Sequence, residues 1–300
     1  MFHAGSEIAP SLRTRHQVFA LLMGSSILLF WPTLANWAAF CFHSDDFSCL
    51  LLVPAITFSL LGIERRKIFT QSSHGSMWGL PPLLMSGGFL CAKSGPLHGN
   101  DGQCLAMISV VLVVVGVMML VYGGEAVRKA SFPLLFLILM VPPPDALHRT
   151  LVTCLRRGSA VVAQMILQFI HVPATRDGFV IRLHEVAIEV AAQCSGVRSF
   201  IALFITALLL GHTALRCNQS KAVLVMVVLP LAVLKNGARI AALVMITAYF
   251  DPDALNGALH KFSGIPLFMF STCFLMWLAW RLRKAEQAGP QHSSQGVMDS

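Results

Sequence analysis

The sequence predicts an all-α polytopic membrane protein of about eight transmembrane helices, with a short extracytoplasmic β-hairpin in its C-terminal half. Three observations predict it. Of the 300 residues, 56% are hydrophobic and only 12% charged, with a mean hydropathy of +0.70, whereas charged residues alone make up about a quarter of an ordinary soluble domain. The apolar residues fall into runs close to the roughly 20 residues that a spanning helix needs. Lys and Arg gather in alternate connections between those runs, as they do where basic residues are kept on the cytoplasmic side. The net charge of +8 and pI near 9.3 therefore belong to helix flanks. No basic face interleaved with aromatics is present, so no nucleic-acid partner is expected.

The runs lie near 17–36, 47–63, 77–94, 104–123, 130–144, 199–216, 222–249 and 264–282. Large residues, not a small-residue cleavage site, follow the first, which reads as a retained span and not a signal peptide. An even number of spans leaves both termini on one side. With the N-terminus inside, Arg13 and Arg15, Arg65 to Lys67, Arg128 and Lys129, Arg216 and Lys221, and Arg281 to Lys284 are all cytoplasmic. The first two outer loops hold only Lys93 beside Asp45, Asp46 and Asp101. Lipid is thus the first partner, and the hydrophobic pattern and the charge pattern give the same orientation.

The fifth run is short and ends in Pro142, Pro143 and Pro144, which cannot continue a regular helix. Leu147 to Val172 carries Arg149, Arg156 and Arg157 among apolar residues. It reads as an interfacial amphipathic helix whose arginines reach for headgroups, in preference to a substrate site. After Pro173 the pattern becomes β-branched: Phe179 to Leu183 and Val186 to Val190 flank His184 and Glu185, a hairpin signature. Open strand edges are not tolerated in hydrocarbon, so this hairpin belongs outside the lipid or packed in protein. Its edge suits the addition of an extended peptide. A single integral-membrane domain is expected over 1–283, its catalytic half about 124–283, with a disordered polar cytoplasmic tail over 284–300.

The eight cysteines have neither the CxxC nor the Cys/His spacing of a zinc site. Most read as small buried hydrophobes. Cys41 and Cys49 flank one outer loop, where an oxidising compartment would allow them to pair. No metal and no organic cofactor is called for.

Cys194 stands apart, set in the small-residue stretch AAQCSGVRS between the hairpin and the sixth span. In the seventh span, LAVLKNGARIAAL brings Lys235, Asn236 and Arg239 into an apolar helix, and polar residues there are costly enough to suggest function. Arg239 lies roughly 26 Å along that helix from Ala222, near the outer boundary of a hydrocarbon core about 30 Å thick. Asn236 and Arg239, three apart, share a face. His260 precedes the eighth span. Cys194, Arg239 and His260 thus sit at the outer ends of three consecutive spans. A histidine can take the thiol proton, and a guanidinium can stabilise a thiolate or an oxyanion.

CSGVR around Cys194, NGARI around Asn236 and Arg239, and HKFSG around His260 together resemble the exosortase/archaeosortase family of multi-span membrane transpeptidases. The resemblance is strong over Gly124 to Trp280 and includes FPLLFLILMVPPP and the hairpin before the cysteine. It implies a cysteine nucleophile with arginine and histidine partners, corresponding to Cys194, Arg239 and His260, the histidine being a mark of the bacterial exosortase branch. Asn236, Arg198, Ser195 and Gly196 would support them. Family members often carry an acid after the histidine, where this chain has Lys261. The resemblance further implies cleavage of PEP-CTERM-like sorting signals on secreted proteins through a thioester. The acyl group then passes to an envelope acceptor, such as a lipid or polysaccharide precursor, or to water. The place would be the bacterial inner membrane, with the site facing the periplasm.

A rival reading is a small envelope transporter or assembly scaffold, with Lys235, Asn236 and Arg239 lining a solute path. That path would spread polar residues through several spans to the midplane, yet the first four spans are nearly uncharged. Neither the G-x-S-x-G of a serine hydrolase nor the H-E-x-x-H of a zinc protease occurs.

Overall fold

In the computed structural model, residues 12–69, 75–93, 99–183, 186–189, 195–249 and 264–288 are described. The chain divides into two compact units, Met1–His148 and Arg149–Ser300.

In the first unit, the first apolar run becomes two helices, α1 (Leu12–Leu29) and α2 (Trp31–His43), bent by 65° at the break. Pro32 causes it: proline lacks an N–H and fits only the first turn of a helix, and it occupies that place in α2. A 3-10 turn, Ser48–Leu51, leads into α3 (Leu52–Phe69), and another, Met77–Gly79, into α4 (Leu80–Lys93). α5 (Gly99–Lys129) is the hub, kinked at Gly123 with φ +84. Around it Phe30, Ile68, Val113, Val117, Met118, Tyr122 and Leu134 form a buried cluster. The α5 backbone is approached closely at Gly79, where a Cβ would stand 2.6 Å from the Gly116 carbonyl oxygen and 2.7 Å from the Leu120 nitrogen. α6 (Ser131–Leu137) and the turn Ile138–Met140 end at the proline run, after which α7 (Asp145–Phe169) begins. Cys41 and Cys49 are free thiols.

The second unit is built on α9 (Asn218–Tyr249). α8 (Val197–Ala214) and α10 (Gly264–Ala288) pack on it through Leu203, Ala207, Leu224, Val228, Leu275 and Ala279. The loop between α8 and α9 is tied to α10: the Glu286 carboxylate accepts from the backbone N–H groups of Arg216 at 2.9 Å and Cys217 at 3.0 Å. α7 is amphipathic, as expected, and buries Leu155, Ser159, Ala160, Ala163 and Leu167. Those residues join Ile240, Ala241 and Val244 of α9, and Ile181 and Leu183 of the sheet, in one core.

The sheet differs from the expected hairpin by one strand. β2 (Val180–Leu183) and β3 (Val186–Glu189) pair antiparallel as anticipated, but β1 (Ala174–Asp177) pairs along the other side of β2. Its sequence, ATRD, has no β-branched run to announce it; the two-residue turn at Gly178, φ +60, folds it back.

Among the described residues five helices are long and apolar enough to cross a membrane, or seven if α1 with α2, and Ser131–Met140 with α7, each make one broken span. The polytopic all-α class is the one expected, and all but one of the eight expected runs fall in these helices. The remaining run, 77–94, holds α4, whose 14 described residues rise about 21 Å.

Candidate active site

The polar segment of α9 is built into the second unit from several sides. Lys235 is 5% exposed and Asn236 2%. Lys235 turns toward α10, its ammonium 5.7 Å from the centroid of the Phe268 ring, within cation–π reach. Asn236 turns toward α7, where its Nδ2 donates to the fully buried Ser159 Oγ at 3.0 Å. Such a bond adds about 0.5–1.5 kcal/mol net, but leaving either partner buried and unsatisfied costs about 1–3 kcal/mol. Gly237 permits the approach: a Cβ there would meet Val162 Cγ1 at 2.6 Å and the Ser159 carbonyl oxygen at 3.0 Å. Arg239 follows about one turn along the helix and is half-buried.

The same asparagine supports the turn that follows position 194. Gly196 caps α8 with φ +80, a conformation that costs an L-residue roughly 1–2 kcal/mol. A Cβ at Gly196 would also stand 3.0 Å from Asn236 Cγ and 3.2 Å from its Nδ2. Backbone and neighbour both demand glycine. Ser195 is 1% exposed, and its Oγ accepts from the Val197 N–H at 3.5 Å. The Gly196 carbonyl accepts from Phe200 N–H at 2.9 Å, opening α8. Arg198, in the first turn, is exposed.

Of the predicted site residues, Gly196 and Asn236 are therefore in contact, with Ser195 adjoining them in the chain. Arg239 lies a turn beyond Asn236, and Arg198 is on the surface of α8. Cys194 and His260 lie outside the described residues. Ser159 is the residue that sequence reasoning missed. Its one signal is its position on the stripe Leu155, Ser159, Ala163 and Leu167, where a hydroxyl at four-residue spacing interrupts an otherwise apolar face. Among the described residues no three His, Cys, Asp or Glu side chains are grouped to hold a metal ion.

The chain matches the family model described as transmembrane exosortase (Exosortase_EpsH) over residues 18–278. It belongs to the transmembrane exosortase family. The exosortase match runs through both units and takes in all three motifs, CSGVR, NGARI and HKFSG. Membership makes this a multi-pass membrane protein and implies a membrane transpeptidase for sorting signals. No curated protein and no solved structure matches the exosortase chain.

Proposed function

We propose that this exosortase is a cysteine transpeptidase that cleaves C-terminal, PEP-CTERM-like sorting signals from secreted proteins. The Cys194 thiol gives its proton to His260, and the thiolate attacks a peptide carbonyl carbon. Arg239 stabilises the resulting oxyanion through fixed donors. The C–N bond then breaks, the imidazolium proton goes to the leaving amine, and the acyl group remains as a thioester on Cys194. An amine on an envelope acceptor, a lipid or polysaccharide precursor, attacks the thioester and restores the thiol; water in its place gives simple proteolysis. Arg198, Ser195, Gly196 and Asn236 shape the site, and the hairpin edge receives the extended part of the signal.

The observation that carries this reading is Gly196 packed on Asn236. It sets the turn at Ser195 and Gly196 against the helix that bears Arg239, which supports a shared site for two motifs 40 residues apart. The charge pattern supports the setting: an inner membrane, both termini cytoplasmic and the site facing outward. The buried placement of Lys235 on Phe268 accounts for the polar residue that a solute path would otherwise claim.

Co-expression with a protein carrying a candidate sorting signal tests it. Cys194→Ala should abolish processing, and Arg239→Ala and His260→Ala should slow it by about 100-fold or more. Normal processing by Cys194→Ala would sink the thioester mechanism. Labelling of Cys194 by an impermeant thiol reagent should come from outside; cytoplasmic labelling alone would reverse the orientation.

A further inference from the structure

α7 carries a second feature, away from the Ser159 face. Arg149, Thr153 and Arg157 recur at four-residue intervals and so line one side of the helix. They form one end of a groove of about 870 Å³, whose other end is made by Val161 and Met165 of α7 with Val233 of α9. All three residues of the polar end are exposed. The Thr153 hydroxyl donates to the Arg149 carbonyl at 2.8 Å, and the two guanidinium groups are the charged donors lining the groove. Among the described residues neither arginine is paired with a carboxylate. The adjacent Arg156 is used otherwise, laid over the Phe179 ring at 3.9 Å.

We propose that this groove binds an anionic phospholipid, its phosphate held by Arg149 and Arg157 and an acyl chain laid along Val161, Met165 and Val233. The two arginines start about 12 Å apart along the helix, and long flexible side chains bring their forks together over a headgroup between them. Guanidinium groups match phosphate geometry with paired donors, and basic pockets between helices are the usual receivers of acidic headgroups. Charge selects this occupant: the polar end offers two cations to an anion, and a hydrophobic transmembrane peptide brings none. The binding does not depend on the reaction proposed above.

Native mass spectrometry of the full chain in neutral detergent, titrated with phosphatidylglycerol or phosphatidylcholine, tests it. Phosphatidylglycerol should be retained at least about tenfold more tightly, the worth of one charge-assisted contact. R149Q/R157Q should lose that preference while R156Q, with one cation removed outside the groove, keeps it. M165W should weaken both lipids by filling the apolar end. The exposed Cys154, which also lines the groove, should react more slowly with maleimide when phosphatidylglycerol is bound. Equal retention of the two lipids, or an unchanged preference in R149Q/R157Q, overturns the proposal. So does displacement by inorganic phosphate at equal concentration, which would mean a plain anion site. Protection of Cys154 by a sorting-signal peptide and not by phosphatidylglycerol would give the groove to the peptide.

Discussion

The two units each contain a place where chain segments meet on glycine, and they use it differently. In the first, Gly79 lies against the α5 backbone at Gly116 and Leu120, with Leu83 beside Gly116; what surrounds it is apolar. In the second, Gly237 lies against Val162 and the Ser159 carbonyl, and the residue before it makes a buried hydrogen bond across the same crossing. An apolar contact is non-directional. A buried amide-to-hydroxyl bond has one good register, and missing it is expensive. The comparison teaches that glycine brings helices together, while the polar pair fixes which side chains then face each other. Only the second crossing supports a turn next to a predicted nucleophile.

The largest effect should come from the apolar crossing. Gly79→Val directs its first carbon at backbone atoms that cannot rotate away, and should cost about 3 kcal/mol, read as the greatest fall in the unfolding midpoint of the detergent-solubilised protein. Gly237→Ala adds a single carbon against Val162 and the Ser159 carbonyl oxygen, a smaller insertion than valine that should cost less, about 2 kcal/mol, yet it pushes Asn236 off Ser159, so signal processing should fall along with stability. A lower midpoint with full processing would reduce that crossing to scaffold. Ser159→Ala and Asn236→Ala should each lose about 1–3 kcal/mol, and in a double-mutant cycle the two should couple by about 1 kcal/mol. Strict additivity would show the bond to be idle. Lys235→Met keeps the apolar stem and removes the ammonium; with the loss of a cation–π contact alone it should shift stability by about 1 kcal/mol or less and leave processing intact. Abolished processing in this variant would return Lys235 to the functional residues.

The sequence made the helices of the second unit legible to within six residues at each end, because long apolar runs with charged flanks leave little choice: the runs 199–216, 222–249 and 264–282 became Val197–Ala214, Asn218–Tyr249 and Gly264–Ala288. The bend between α1 and α2 was also written there, in Pro32, but hydropathy averaged over a window passes through a single proline. β1 was invisible because ATRD has no strand pattern of its own and pairs only once Val180 to Leu183 offers an edge. For the site, Asn236 stood out as an amide in an apolar helix, whereas Ser159 did not, since a serine is unremarkable on a helix that also carries three arginines. Its meaning lies in a partner 77 positions away, which no local pattern can express.

The Glu286 carboxylate has a practical consequence for anyone shortening or tagging this chain. It sits in the last turns of α10, where an acidic residue beside Lys284 and Gln287 looks expendable, yet it closes the start of α9 from 70 positions downstream. Backbone donors at a helix start favour a negative charge, so a deletion that ends before Glu286 strips the cap from the very helix that carries Asn236 and Arg239. Affinity tags and fluorescent fusions belong beyond Ala288, and a boundary chosen by hydropathy alone, at residue 282, would cut inside the fold.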